Sequence, residues 1–495
     1  MAPQPGVVGS GSVQTSLASG RESRVPDGQV RPAFGPIGRA LAPLFPETPL
    51  PETPLPETPQ RQAATRRWLI AGAYLVCLFA GAAVSLARYV GNPPWQTIYA
   101  EDKPVYLVEA LAHPWRSMFD PYAGYLQLLP RAIGQLVSLL PLRDAAAGFA
   151  VSGALVTSAC ALFIFGVSTG HVRHPLMRGL LALSVLLLPV ALLQIANSGV
   201  NTPWYLLMAL FWALLWRPAS AWAMILAAVV GFAAASSNIT AVVFAVLVVA
   251  RVIALPRVRE HAVTAGWLAG CLLQLPYFLH SGTSSSSRLS QLATPGQSTT
   301  FYGHDVVLPA FGWHLSWLLR DWWDRNYALL LIGGLLAIAV VVILVTGIAR
   351  VRAFTVAALV FGYVFAVFAA TVTYWVTING VKPDTEPGAR YTCLPILLIT
   401  AVLIVAVDAR FTDHGLRRPV GVAAAVALVA VLCAGWIPDF RYTGGRTTAP
   451  LWGPVATRWL DSCRHSDAFR YFDTYDKNAA GKYVTLVIPC SRLRG

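Results

Sequence analysis

The sequence predicts an all-α protein that crosses a membrane many times, and three observations lead there. Of 495 residues, 56% are hydrophobic and only 12% are charged, where a soluble chain carries about 25% charge. Apolar runs of spanning length recur from Trp68 to Trp436. Arg-rich connections separate the runs and fall on alternate sides of them.

Residues 1–66 hold no apolar run, so no cleavable signal peptide is expected within them. Pro, Gly, Ser and Arg dominate, and Pro46-Glu47-Thr48-Pro49-Leu50 repeats almost perfectly through Pro59. Such a segment buries too little apolar surface to offset its ordering entropy. The expectation is a disordered cytoplasmic tail.

Eleven spans are expected, at about 68–90, 145–168, 179–197, 203–216, 219–236, 239–255, 262–280, 327–349, 353–378, 391–409 and 419–437. Arg66-Arg67, Arg173 with Arg178, Arg217, Arg257 with Arg259, Arg350 with Arg352, and Arg417-Arg418 all become cytoplasmic if the N-terminus is inside. The C-terminus is then outside, and the expected location is the inner (plasma) membrane. The segments 203–216, 219–236 and 239–255 are short for a span. Residues 124–141 are apolar enough to imitate another, but Arg131 would then sit near the bilayer centre at about 2.5–3.5 kcal/mol. They read instead as an amphipathic helix on the outer surface. Its Gln127, Arg131 and Gln135 share one stripe at i, i+4 and i+8.

The net charge of +14 does not indicate nucleic acid, because the basic residues occupy orientation positions and no recognition motif accompanies them. No P-loop, GxGxxG or CxxC occurs either. Chemistry must come from four pieces outside the membrane: the loop 91–144, the loop 281–326, the loop 379–390, and the domain from Pro438.

The first loop is far longer than a linker requires. It holds Glu101 and Asp102, then Tyr106, Glu109, His113, Trp115 and Arg116, then Tyr122 and Tyr125. Like charges this close raise one carboxylate's pKa, which suits a general base. A solvated pair at a helix N-terminus is the bland alternative. Arg390 stands where a span begins, on the side the charge rule disfavours, and there a guanidinium can grip a lipid phosphate with two hydrogen bonds. The alternative is an Arg snorkelling at the interface. His304-Asp305 lacks a second His or Cys nearby, so no metal site and no cofactor is predicted. The Trp pair in Asp321-Trp322-Trp323-Asp324-Arg325 reads as an interface belt. Of seven Cys, Cys463 and Cys490 share the extracytoplasmic domain and are expected to form a disulfide.

The order of parts resembles the GT-C superfamily of membrane glycosyltransferases: a first span, an acidic motif in a large outer loop, many spans, and a soluble domain at the end. Tyr99-Ala100-Glu101-Asp102, the segment Pro121–Arg131 and Gly388-Ala389-Arg390-Tyr391 are similar to uncharacterised bacterial members. The likeness covers roughly residues 68–495 by topology and departs at Lys103-Pro104, where a small residue is expected. It implies a GT-C-like bundle and a polyprenyl-phosphate-linked sugar as donor, with a glycan or lipid of the cell envelope as acceptor. It implies Asp102 as general base, with Glu101 second. Arg390 and Tyr391 would hold the donor phosphate, assisted by Arg131, and Tyr125, His113 and Glu109 would line the cleft. The rival readings are a transporter or flippase of lipid-linked glycans, a glycan polymerase or ligase, and an inactive relative.

Overall fold

A computed structural model describes residues 35–47, 60–280, 293–316, 348–378, 389–411 and 418–493, apart from 442, 445, 448 and 478–482. Residues 327–347 of the expected span 327–349, the Trp pair at 322–323 and the loop positions 379–388 lie outside the described residues.

In chain order the elements are α1 (Gly35–Leu41), α2 (Gln60–Ala87), α3 (Val108–Ala112), α4 (Leu128–Val137), α5 (Ala145–Val167), α6 (Pro175–Leu186), α7 (Ala191–Gln194), α8 (Thr202–Leu215), α9 (Ala221–Ser237), α10 (Ala245–Ala254), α11 (Ala262–His280), α12 (Pro295–Phe301), α13 (Ala349–Ile378), α14 (Ala389–Phe411), α15 (Arg418–Asp439), α16 (Trp452–Ser462), strands β1 (Ala468–Lys477) and β2 (Tyr483–Pro489), and α17 (Cys490–Leu493). Among the described residues, 7 helical segments are long and apolar enough to cross a membrane. They run through α2, α5, α6–α7, α11, α13, α14 and α15. The segments expected at 203–216, 219–236 and 239–255 are shorter apolar helices.

The shortness of α8 has a physical resolution. Its 14 residues reach only about 21 Å, less than a hydrocarbon core of about 30 Å. Every residue of α8 is buried, so it crosses protein rather than lipid. Its last carbonyls still need donors. Arg251 of α10, fully buried, donates to Leu214 O and, at 2.8 Å, to Trp216 O. Arg88 does the same beyond α6, donating to Leu186 O at 2.7 Å and Leu188 O at 3.0 Å.

Contacts between loops define two ends of the bundle. At one end, Asp408 of α14 accepts from Arg173 N and His174 N at 2.8 Å, and Arg217 pairs with Glu260 at 2.7 Å. At the other, Asp439 at the end of α15 accepts from Trp313 N and His314 N, beside the first loop and the C-terminal domain.

Residues 35–47 differ from the unstructured tail expected for 1–66. They form α1 and a turn docked at the Arg-rich end, where Phe45 is 1% exposed beneath Arg251, 5.8 Å from its ring centroid. Glu47 pairs with Arg217 at 3.2 Å. Composition averaged over 66 residues conceals the apolar patch Leu41–Phe45, which has a specific seat.

The first loop and the C-terminal domain share one hydrophobic core, containing Val105, Leu107, Val108 and Leu111 from the loop and Trp452, Trp459, Ile488 and Leu493 from the domain. The antiparallel pair β1–β2 sets Phe469 opposite Ile488, and Trp459 stacks on Phe469 at 5.0 Å. The expected Cys463–Cys490 disulfide is present and joins the end of α16 to the start of α17, with Cα atoms 5.5 Å apart.

Candidate active site at the first loop

The chain leaves α2 and runs beneath the C-terminal domain, where Asn92 Nδ2 donates to Ala449 O at 3.0 Å and Thr97 bridges Leu451. It then tightens into a 3-10 turn over Ala100–Asp102. With three residues per turn, consecutive side chains there point about 120° apart. Glu101 and Asp102 consequently enter different surroundings.

Asp102 turns inward and is 0% exposed. Its Oδ2 accepts from Ser198 Oγ and Gly199 N, both at 3.0 Å, and its Oδ1 accepts from Val200 N at 2.8 Å. This seat is the approach to the N-terminus of α8, where backbone N–H groups and the helix dipole favour an anion. A Cβ on Gly199 would lie 3.0 Å from Asp102 Oδ1 and 2.9 Å from the Phe149 ring, so the carboxylate fits only against glycine. Burial pushes the Asp102 carboxyl up to about 6, against the opposing pull of Arg446 and the three donors.

Arg446 is the cation behind that seat. Its Nε donates to Thr97 Oγ1 at 2.9 Å, and Nη2 donates to Thr97 O at 2.6 Å and Pro94 O at 3.1 Å. Nη1 donates to Asn197 O. Asp102 and Arg446 together bind residues 94–102 to the turn 197–200, and burial holds the guanidinium pKa below its ordinary value. The sequence reading passed over Arg446, a single Arg in a Gly- and Thr-rich stretch that fits no motif.

Glu101 is half-buried and faces the other way. Tyr122 Oη donates to Glu101 Oε1 at 3.4 Å. Tyr122 and Tyr125 flank a two-residue turn closed by Tyr122 N to Tyr125 O at 2.9 Å and Tyr125 N to Tyr122 O at 3.3 Å. Ala123 (φ 53°) and Gly124 (φ 86°) both sit in the left-handed region, as this hairpin turn demands. Both tyrosines are thereby presented on one side. Burial raises both phenol pKa values, Glu101 adds to the shift at Tyr122 and Tyr391 to that at Tyr125, so both remain protonated donors.

Arg390 opens the span of α14, and its charge interacts with Tyr391, Glu101 and Tyr125. The guanidinium carbon lies 5.1 Å from the Tyr391 ring centroid, and the buried Nε has no hydrogen-bond partner. Tyr391 is fixed edge-on by Trp204 of α8 at 5.1 Å and Phe368 of α13 at 5.7 Å. Glu101, Arg390, Tyr122, Tyr125 and Tyr391 thus form one cluster drawn from the first loop and a span more than 250 residues away.

The remaining expected site residues stand elsewhere. Arg131 is 2% exposed and pairs with Glu109, with its guanidinium 5.4 Å from the Tyr106 ring centroid. That pair welds α3 to α4, so Arg131 meets a carboxylate where a phosphate was expected. The whole polar stripe of α4 faces the loop: Tyr106 Oη donates to Gln127, and Gln135 Nε2 donates to Ser117 Oγ at 2.6 Å. Leu136 and Leu139 are exposed on the opposite side. His113 is exposed at the end of α3. Among the described residues no group of three or more His, Cys, Asp or Glu has the arrangement of a metal site.

Compared with family models, curated proteins and solved structures, the chain matches none.

Proposed function

We propose that the protein is a membrane glycosyltransferase of the GT-C kind, moving a sugar from a polyprenyl-phosphate donor to a hydroxyl of an envelope glycan or lipid on the outer face of the membrane. The observation that supports this reading is the gathering of Glu101 and Arg390 with Tyr122, Tyr125 and Tyr391 in one cluster, where the carboxylate and the guanidinium feel each other's charge. A carboxylate and a guanidinium so placed suit a displacement at an anomeric carbon. The acceptor oxygen forms the new bond to that carbon while its proton passes to Glu101. The bond from carbon to phosphate oxygen breaks, and the negative charge left on the phosphate is met by Arg390, with its unpartnered Nε, and by the phenol hydroxyls. Burial of Asp102 among three donors favours Glu101 over Asp102 as the base. Asp102 is then a positioning residue for the turn that carries Glu101.

A transporter would line a path through the spans with charge. The fully buried Arg88 and Arg251 are instead engaged with carbonyls where helices end. That supports transfer over transport. The test is purified protein in vesicles with a radiolabelled polyprenyl-phosphate sugar pool. The expected result is consumption of donor that stops in Glu101→Gln and weakens in Arg390→Ala, with Arg390→Lys restoring only part of it because a point charge replaces a fork. Movement of an intact lipid-linked glycan across the bilayer with no sugar transfer would replace this reading with the transporter.

A further inference from the structure

The cluster depends on where Tyr125 stands, and the first-loop turn fixes it against Tyr122 without tying the pair to the helix bundle. The residue that follows, Leu126, is 0% exposed, and both its main-chain groups are taken by one side chain. Gln274 of α11 accepts from Leu126 N at 2.8 Å through Oε1 and donates to Leu126 O at 2.7 Å through Nε2. The same Nε2 reaches Ala235 O of α9 at 3.3 Å. Gln274 is 3% exposed, a polar side chain far inside an otherwise apolar helix. A primary amide is the side chain that reproduces the paired donor and acceptor of a neighbouring strand. Three residues on, Leu129 N donates to Ser237 Oγ of α9 at 3.0 Å, a second tie to the same helix pair.

We propose that Gln274 is a positioning residue for the site: its amide fork fixes the Leu126 main chain and, through it, holds the Tyr125 ring beside Arg390 and Glu101. This rests on the transferase reading above. It adds that the membrane-length helix α11 and the shorter apolar helix α9 beside it determine the register of the tyrosine turn. In hydrocarbon or a dry protein interior, an unpaired amide costs more than at a surface, so the fork is a stiff link.

Two measurements on the full-length protein in nanodiscs test this. The first is hydrogen exchange at the Leu126 amide, whose acceptor is Gln274. Gln274→Leu is expected to speed that exchange about tenfold, the equivalent of one lost hydrogen bond. The second is a double-mutant cycle on sugar transfer. Gln274→Leu alone is expected to lower kcat by about ten- to a hundredfold, the scale of a 1 Å misplacement, with little change in donor KM. In a Tyr125→Phe background the same change is expected to cost at most a few-fold. Unchanged exchange at Leu126 in Gln274→Leu overturns the clamp whatever the activity. Faster exchange with full additivity in the cycle overturns the positioning role while leaving the transferase reading intact. Wild-type protein that transfers no sugar overturns the transferase reading itself, and the Leu126 exchange still reports on the clamp.

Discussion

Glu101 and Asp102 are adjacent in the chain and occupy opposite situations. Asp102 has three donors, a buried cation and a glycine shaped to its carboxylate. Glu101 is half-buried, has one long hydrogen bond from Tyr122 and feels the charge of Arg390. Each acid is matched with an arginine, yet the two pairs do different things. Arg446 makes four hydrogen bonds to main-chain and Thr97 groups and fixes a loop. Arg390 keeps an unpartnered Nε. An arginine whose donors all meet main-chain and Thr97 oxygens has nothing left for a substrate, whereas one with a spare donor beside an acid and three phenols is where a ligand can add bonds.

The sharpest way to break this contrast is to remove each basic oxygen in turn. Glu101→Gln is expected to lower sugar transfer by about 10²–10⁴-fold while leaving thermal unfolding in detergent nearly unchanged. Asp102→Asn is expected to lower stability and transfer together. The reverse pattern, with Asp102→Asn silent in unfolding and dead in transfer, would return the base to Asp102.

The arginines are the next comparison. Arg446→Ala leaves Thr97, Pro94 and Asn197 oxygens without their donor and Asp102 without a favourable charge, and should destabilise the protein by about 3 kcal/mol or more. Arg390→Ala should cost far less stability and act mainly on donor KM. Equal losses from both would erase the distinction. Opening the disulfide, by Cys463→Ser with Cys490→Ser, should cost about 3.5 kcal/mol in the chain-entropy model for a separation of 27 residues. The loss should appear as earlier exchange of the core shared by the C-terminal domain and the first loop, and an unchanged melting temperature would count against that role.

Acid titration gives a smaller effect. Folding raises the Asp102 pKa from 3.8 to about 6. Between those values the unfolded chain is the more ionised and binds fewer protons. Stability contributed by this group is therefore present in full below the lower value and falls as pH rises through the upper one, by roughly 2–3 kcal/mol. Asp102→Asn should flatten that part of the profile of melting temperature against pH. A wild-type curve that is already flat between pH 4 and 6 would show the seat to be better solvated than its burial implies.

The membrane class was legible because lipid leaves few solutions: long apolar runs must be helices and their ends must carry the charge pattern. The Cys pair was legible from the compartment expected for the C-terminal domain. The short helix α8 was visible as an apolar run, but its burial on every side was not. That depends on Arg251 capping its carbonyls from 37 residues away. The stripe Gln127, Arg131 and Gln135 was read correctly as one face, but not its direction. A polar stripe normally faces water, and here Glu109, Tyr106 and Ser117 supply the partners inside the loop. The acidic pair was found by position, and the order within it depends on a 3-10 turn and on Gly199, neither of which local pattern announces. Arg390 stood out as a charge on the wrong side. Arg446 and Gln274 had no signal at all, because a single polar residue acquires its role only from the backbone it meets.

The core shared by the first loop and the C-terminal domain bears on how the chain is made. Thr97 and its partner Arg446 are separated by 349 residues. At the ~5–20 residues per second of ribosomal synthesis, roughly 20–70 s pass between the appearance of the two. Throughout that interval Val105, Leu107, Val108 and Leu111 have no Trp452, Trp459 or Ile488 to cover them, and Asp102 has no cation. The loop that carries Glu101 is thus finished only when residues 446–493 arrive. A chain that stops before Trp452 presents that apolar surface uncovered to quality-control factors.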